Sequence, residues 1–283
     1  MSMAAAETQI GDRISKRNFD KLARFIYDYS GIKMPPTKLT MLEGRLRRRL
    51  RATNHATFDD YCDFLFHEDG LEHETVYLID AVTTNKTDFF REARHFDYMQ
   101  QTALPTLAGN GVRIIRTWSS ACSTGAEPYT MAMVLEEFAG ARNDVDYTIL
   151  ATDLSTDVLN AARLGIYAED MIQPVPRDMQ RKYVMVPKSP TRREVRISPF
   201  LRSRVGFARM NLMDESYPVG EAMHIIFCRN VLIYFDKPTQ AGVLKRLCDR
   251  LAVGGYLFIG HSESIAGIDL PLKQVSNTVF QRT

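Results

Sequence analysis

"VRIIRTWSSACSTGAEPYTMAMVLEEFA", residues 112–139, decides the fold. "VRIIRTWS" has the β-branched and aromatic character of a buried strand, and "EPYTMAMVLEEFA" is a helix. Between them lies a loop of small residues. The alternation recurs downstream. "DYTILATD" (146–153) is a strand and "TDVLNAARLG" (156–165) a helix. "MHIIFC" (223–228) is a strand, "KPTQAGVLKRLCDRLA" (237–252) a helix, "YLFIGH" (256–261) a strand and "NTVFQRT" (277–283) a last strand. Strands alternating with helices predict an α/β domain whose mostly parallel sheet is covered on both faces. Ligands of such sheets bind beyond the carboxyl ends of the strands.

The first third reads differently. "NFDKLARFIYDYSG" (18–31) places Phe19, Leu22, Phe25, Ile26 and Tyr29 on one helical face, and Gly31 ends it. Pro35 and Pro36 break the chain. A second helix follows with Leu39, Leu42, Leu46 and Leu50 aligned. "TFDDYCDFLF" (57–66) starts at a capping Thr57, and "HETVYLIDAVTTN" (73–85) reads as a fourth helix. The prediction is a small all-α N-terminal domain over 1–78, a linker over 79–95 and an α/β domain over 96–283. Residues 174–210 break the alternation. They are rich in proline and arginine, and "EVRIS" and "SRVGFAR" suggest an inserted antiparallel β-subdomain at about 190–210.

Composition is that of an ordinary globular chain: 283 residues, 45% hydrophobic, 25% charged, net charge +2. No apolar run reaches the roughly 18 residues that span a bilayer, and "MSMAAAETQIGDR" lacks the pattern of a secretory signal. Cys62, Cys122, Cys228 and Cys248 are scattered, so a reduced, cytoplasmic protein is expected. Charge is nonetheless uneven. Residues 38–51 carry Lys38, Arg45, Arg47, Arg48, Arg49 and Arg51 against Glu43 alone. Arg47, Arg48 and Arg51 fall off the leucine face and form an expected outward cationic stripe.

The loop "WSSACSTGAEPYT" (118–130) lets a ligand approach the backbone, but it is not GxGxxG. Glu127 at the helix start repels an anion and welcomes a cation. Asp153 ends the second strand, where an acid accepts from ribose hydroxyls. It also serves as a helix cap, and it follows Gly125 by 28 residues, beyond the usual spacing of about 20. A ligand with a ribose and positive charge, such as S-adenosylmethionine, fits both acids. Arg229-Asn230 ends the strand "IIFC", inside the same crevice. "LAVGGYLFIGH" adds a helix–Gly-Gly–strand pattern that resembles class I methyltransferases. "RNVL" replaces the Asn/Asp-Pro-Pro-aromatic motif of many nucleobase amino-methylating enzymes.

Together "TTNKTDFFRE" (83–92), "STGAEPY" (123–129), "ATDLSTDVLNAARLGIY" (151–167), "NLMD" (211–214), "IIFCRNVLIYFDKPTQ" (225–240) and "GYLFIGHSES" (255–264) resemble the CheR family of chemotaxis receptor methyltransferases, from about residue 17 to the end. One departure is Ala126, where the family often has the first of two glutamates. The resemblance implies a class I, Rossmann-like S-adenosylmethionine methyltransferase domain and methyl transfer to glutamate carboxylates of chemoreceptor cytoplasmic helices. It implies that Asn85, Thr87 and Arg91 close over the cofactor, and that Arg91 holds its methionine carboxylate or sits near the substrate. Glu127 faces its charged end, Asp153 takes the ribose, Asn211 and Leu212 hold the adenine, and Cys228 and Arg229 line the floor. Tyr234 points at the methyl, so Arg91, Arg229, Asn230 and Tyr234 are the expected catalytic set. The stripe of Arg47, Arg48 and Arg51 would dock the Glu-rich receptor. The β-subdomain would take a receptor C-terminal peptide as an added strand, as some members do.

No metal is expected: "HEDGLEHE" (67–74) reads as a solvated loop and helix start, and His261 as a structural hydrogen-bonder. Neither nucleic acid nor membrane insertion is expected. The rival readings are an RNA or small-molecule methyltransferase, whose binding would fall steeply with salt, and a non-catalytic regulator on the same fold. The basic helix lacks interleaved stacking aromatics, which disfavours the first.

Overall fold

The computed structural model describes residues 12–189 and 191–283. The chain forms two compact units that divide between Thr84 and Asn85. The first holds helices α1 (Lys16–Ser30), α2 (Leu39–Ala52), α3 (Phe58–His67) and α4 (Gly70–Val82). Residues 79–84, placed in the linker above, therefore complete this unit. Ser15 caps α1 through Asn18 N, and Gly31 closes it with φ 73°. Thr57 and Asp60 form a reciprocal capping box on α3. The core is Phe19, Leu22, Ile26, Leu42, Leu46, Leu50, Phe58, Tyr61 and Leu78.

The basic helix α2 spends half of its charge internally. Arg49 pairs with Glu74 at 2.6 Å, and Tyr61 donates to the same carboxylate at 3.0 Å. Arg45 donates to the carbonyls of Val82 and Thr83, both at 2.6 Å, and so finishes the end of α4. Arg47 is half-buried: it donates to the Asp12 carbonyl and lies 5.2 Å over the Phe58 ring. That departs from the outward stripe expected for it, because Phe58 offers an aromatic face within reach. Arg48 and Arg51 are exposed.

The second unit opens with α5 (Arg94–Tyr98), which runs through a π-helical turn (Met99–Ala103) into α6 (Leu104–Gly109). Then come β1 (Ile114–Ser119), α7 (Ala126–Gly140), β2 (Asp146–Asp153), α8 (Thr156–Leu164), β3 (Ile166–Ala168), α9 (Arg177–Tyr183), β4 (Val184–Met185), β5 (Glu194–Ile197), α10 (Pro199–Ser203) and β6 (Val205–Arg209). The chain ends with β7 (Met223–Cys228), α11 (Lys237–Arg250), β8 (Leu251–Ile259), β9 (Leu272–Ser276) and β10 (Val279–Arg282). Among the described residues a seven-stranded sheet has the order β6-β2-β1-β7-β8-β10-β9. Its first five strands are parallel, and β10 is antiparallel to β8 and β9. The register sets Ser119 beside Ala151 and Phe227, Asp153 beside Arg209, and Cys228 beside Ile259. Five carboxyl ends therefore open on one edge.

The inserted β-subdomain differs from the range expected at 190–210. Its small antiparallel sheet has the order β3-β5-β4. "SRVGFAR" instead supplies β6, the parallel edge strand beside β2. Its alternation fits either sheet, and only the pairing of Leu150 with Gly206 and Ala151 with Phe207 decides. The Gly-Gly pair lies inside a strand rather than between a helix and a strand. β8 begins at Leu251, and its register against β7 shifts between Met223 and Ile225. Gly254 has φ 78°, and a Cβ on Gly255 would lie 2.8 Å from the His224 carbonyl, so the pair forms a bulge.

Gly125 is the hinge of the β1–α7 loop. Its φ is 92°, and a Cβ there would meet Ala162 Cβ and Tyr167 Oη at 2.9 Å each. Gly125→Ala is expected to destabilise the second unit by roughly 2 kcal/mol or more, through strain and overpacking. Trp118, the chain's one tryptophan, lies in β1 of this unit. Its fluorescence during guanidinium unfolding isolates that transition. An unchanged midpoint would contradict the tight packing of this loop.

Candidate active site

The carboxyl edge of the sheet is built around a buried guanidinium. Arg229 follows β7, and its side chain is 1% exposed. It lies 5.4 Å over Phe96 and 5.5 Å over Phe227. Its Nη2 donates to the Arg91 carbonyl and stands 3.6 Å from Glu92 Oε2; its Nε is 3.5 Å from Glu127 Oε2. Nε and Nη1 are buried with no hydrogen-bond partner. A buried donor without an acceptor is costly, and Nε meets Glu127 only as a charge pair beyond hydrogen-bond geometry.

Glu127, in the first turn of α7, accepts from Ser119 Oγ at 2.7 Å. Burial raises its carboxyl pKa, only partly countered by Arg229 and Ser119; a cationic ligand would relieve that cost. Ala126, the family departure, is fully buried in the core. Asp153 ends β2 and accepts from Ser123 N at 2.8 Å and Ser155 N at 3.0 Å, one on each oxygen. Ser123, with φ 49°, also donates to the Asn85 carbonyl at 2.8 Å. That bond ties the 85–93 segment to the β1–α7 loop. Thr87 and Arg91 lie half-buried on this segment, and Arg91 donates to the Lys86 carbonyl at 2.9 Å.

After β6, Asn211 Oδ1 accepts from Met213 N at 3.0 Å. The Leu212 carbonyl takes Tyr217 Oη at 2.7 Å and Arg246 Nη2 at 2.8 Å. These bonds hold the 210–214 loop beside Asp153, whose carbonyl takes Met210 N at 3.0 Å. Cys228 is fully buried, and burial, with Glu263 next, pushes its thiol well up. It is a wall, not a nucleophile.

Two carboxylates that the sequence does not single out hold this edge together. Glu263 is buried, and burial raises its pKa against the N–H donors around it. Oε2 accepts from Asn230 N at 3.0 Å and Gly260 N at 2.6 Å; Oε1 accepts from Ile233 N at 3.3 Å. It thereby holds Asn230 at φ 58° and the 3₁₀ turn Leu232–Tyr234, which carries the half-buried Tyr234. A Cβ on Gly260 would fall 2.6 Å from Asn230 Nδ2. Glu92, at φ 58°, accepts from Asn230 Nδ2 at 3.2 Å and His261 N at 3.3 Å. Burial works against its charge, but Arg229, Asn230 and His261 together hold its pKa below the ordinary range. Both acids lie inside motifs quoted above, yet only the fold reveals what they hold.

A parallel sheet with Glu127 opening the helix after its first strand, Asp153 ending its second and a buried arginine between aromatic rings has the layout of a nucleotide-type site. Residues 85–281 match the family description "CheR methyltransferase, SAM binding domain", and residues 17–83 match "CheR methyltransferase, all-alpha domain". The chain is 38% identical to a chemotaxis protein methyltransferase of Borreliella burgdorferi over 90% of each chain. It is 37% identical to one from Klebsiella aerogenes over 99% of this chain and 94% of the relative. It is 35% identical to one from Escherichia coli over 94% and 91%. The chain is therefore an S-adenosylmethionine-dependent methyltransferase. It belongs to the CheR methyltransferase family.

Glu263→Gln replaces a buried acceptor with an amide and removes charge-assisted bonds worth about 1.5–3 kcal/mol. Methyl-transfer turnover is expected to fall roughly 10- to 100-fold, while cofactor affinity, measured by calorimetry, moves about twofold or less. Equal losses in both would mean that Glu263 supports the whole crevice and not the Tyr234 turn.

Proposed function

We propose that this enzyme methylates glutamate side chains on the cytoplasmic helices of chemoreceptors, forming methyl esters for adaptation in chemotaxis. The observation that carries the reading is Arg229: a buried guanidinium with two donors lacking acceptors suits a carboxylate brought in from outside. Asp153 would take the ribose hydroxyls. Asn211 and Leu212 would border the adenine, Asn85, Thr87 and Arg91 would cover the cofactor, and Glu127 would face its charge. Cys228 would form the floor. S-adenosylmethionine supplies an electrophilic methyl group on a sulfonium.

A free glutamate ionises near pH 4.3, so the nucleophile is already an anion at neutral pH. The residues here need only bind and align it. Arg229 and Asn230 position, Arg91 steers, and Tyr234 orients the carboxylate oxygen toward the methyl. Orientation of this kind supplies several kcal/mol. Anion and cation neutralise each other in the transfer, so the apolar walls formed by Phe96, Phe227 and Cys228 favour it. No general base is required. Arg48 and Arg51 present the exposed charge that a Glu-rich helix would meet. With Arg45 and Arg49 turned inward, α2 offers too little free charge for a phosphate backbone. A receptor C-terminal peptide would join β3 or β4, the two edges of the small sheet, as an added strand. No helix among the described residues is long and apolar enough to cross a membrane, and the receptor's cytoplasmic portion is the proposed meeting place.

Radiolabelled methyl transferred to receptor-bearing membranes should be released by mild alkali as volatile methanol. Label that resists alkali would place the methyl on nitrogen or carbon and reject the glutamate reading. Tyr234→Phe should lower turnover about tenfold or more with cofactor affinity intact; near-normal turnover would remove the hydroxyl from the mechanism. Reversing Arg48 and Arg51 to Glu should raise KM for receptor more than it lowers kcat, and an unchanged KM would reject docking through α2.

A further inference from the structure

Beside Arg229 three side chains converge: Glu92 from the segment before α5, His95 in α5, and His261 after β8. Their ligating atoms all lie within 4.8 Å of one another. Glu92 Oε2 stands 3.4 Å from His95 Nδ1 and 3.9 Å from His261 Nε2. His95 is 2% exposed, and its Nδ1 has no hydrogen-bond partner. On the far side of the ring, Nε2 lies 2.8 Å from Thr278 Oγ1. His95 Nδ1 and Glu92 Oε2 face each other within the span that one cation bridges.

We propose that Glu92, His95 and His261 form a binding site for a divalent ion of the zinc class, with Oε2, Nδ1 and Nε2 as ligands. Two imidazoles and a carboxylate are an established zinc donor set, and bonds of about 2.0–2.1 Å place tetrahedral ligands roughly 3.4 Å apart. The His95–Glu92 spacing already meets that distance. The side chain of His261 is 41% exposed and can close the remaining gap by turning. The same exposure leaves a path for the ion and room for a water as fourth ligand. The bond from Nε2 to Thr278 orients the buried ring as outer hydrogen bonds orient metal-bound histidines. Cys62, Cys122, Cys228 and Cys248 are all buried and offer no competing exposed thiol.

Arg229 is the adverse neighbour, since its Nη2 lies 3.6 Å from the same Oε2. Its charge weakens the site and couples it to the crevice. An ion drawing on Oε2 competes with Arg229 for Glu92 and adds positive charge near a cationic cofactor. On the methyltransferase reading given above, zinc and S-adenosylmethionine therefore oppose each other. S-adenosylhomocysteine, which has no sulfonium charge, is opposed less.

The test uses the full chain without a polyhistidine tag, stripped of metal and titrated with Co²⁺. Ligand-field bands should saturate at one ion per chain, vanish on adding Zn²⁺, and be absent in His261→Gln, which keeps the backbone bond from residue 261 to Glu92. No bands, or bands that survive in His261→Gln, would overturn the site. Zinc should raise the KM for S-adenosylmethionine about fivefold in the wild type and leave it unchanged in His261→Gln. Equal inhibition of both proteins would overturn the coupling. The cobalt titration needs neither cofactor nor receptor, so it stands apart from any failure of the zinc-free enzyme to transfer methyl groups.

Discussion

A guanidinium taken out of water is the constraint around which this edge of the sheet is arranged. Arg229 sits between Phe96 and Phe227 with two of its nitrogens lacking a hydrogen-bond partner, and a buried charge persists only when its surroundings compensate it. Compensation comes from Glu92, Glu127 and the Arg91 carbonyl. Two of these three lie on the short segment before α5, so the arginine also fixes where that segment runs. The segment is tied a second time, through Ser123 and the Asn85 carbonyl, to the loop that meets Asp153. The loop that meets Asp153 and the surroundings of Arg229 thus share one polar framework. A change at either end is expected to be felt at the other, because partly satisfied buried networks do not behave additively.

Much of the large sheet was legible because its strands are short apolar runs closed by polar residues. "DYTILATD" and "MHIIFC" carry that signal alone, and β2 and β7 match them residue for residue. The π-helical turn within 94–109 and the strand Leu272–Ser276 carry no such signal. The first is an amphipathic stretch without a clear cap. The second alternates weakly, with Lys273 and Gln274 both exposed. "SRVGFAR" reads as a strand yet joins the large sheet instead of the inserted one, since periodicity reports which faces a strand shows and not which neighbour it finds.

At the site, the acids at strand ends were legible through position: Glu127 begins a helix and Asp153 ends a strand. Glu92 and Glu263 were not, for a physical reason. Each acts by accepting hydrogen bonds from backbone brought close by the fold, Glu263 from residues 230, 233 and 260. Glu92 and Asn230 also occupy the left-handed region, at φ 58° each, where non-glycine residues are uncommon. A sequence pattern carries no mark of that strain. Arg47 shows the opposite failure. Helical spacing placed it correctly off the leucine face, yet Phe58 on α3 captured its guanidinium, which no single-helix projection contains.

The distribution of charge argues for one order of ligand preference. Glu127, Glu92, Asp153 and Glu263 surround the crevice, against Arg229 and Arg91. Glu263 is consumed by three backbone N–H groups, and Glu92 by Arg229 and the Asn230 amide. Glu127 stands 3.5 Å from Arg229 Nε, so the buried acid and the buried guanidinium share one part of the crevice, while Asp153 lies at the end of β2 with Ser123 N and Ser155 N on its oxygens. On the proposed reading, a cation with hydroxyls suits the two acids and a carboxylate suits the donors of Arg229 that lack acceptors. The burial that raises the Glu127 pKa is countered in part by Arg229 and Ser119; a cationic ligand would counter it further, and its charge would be reduced by the transfer itself.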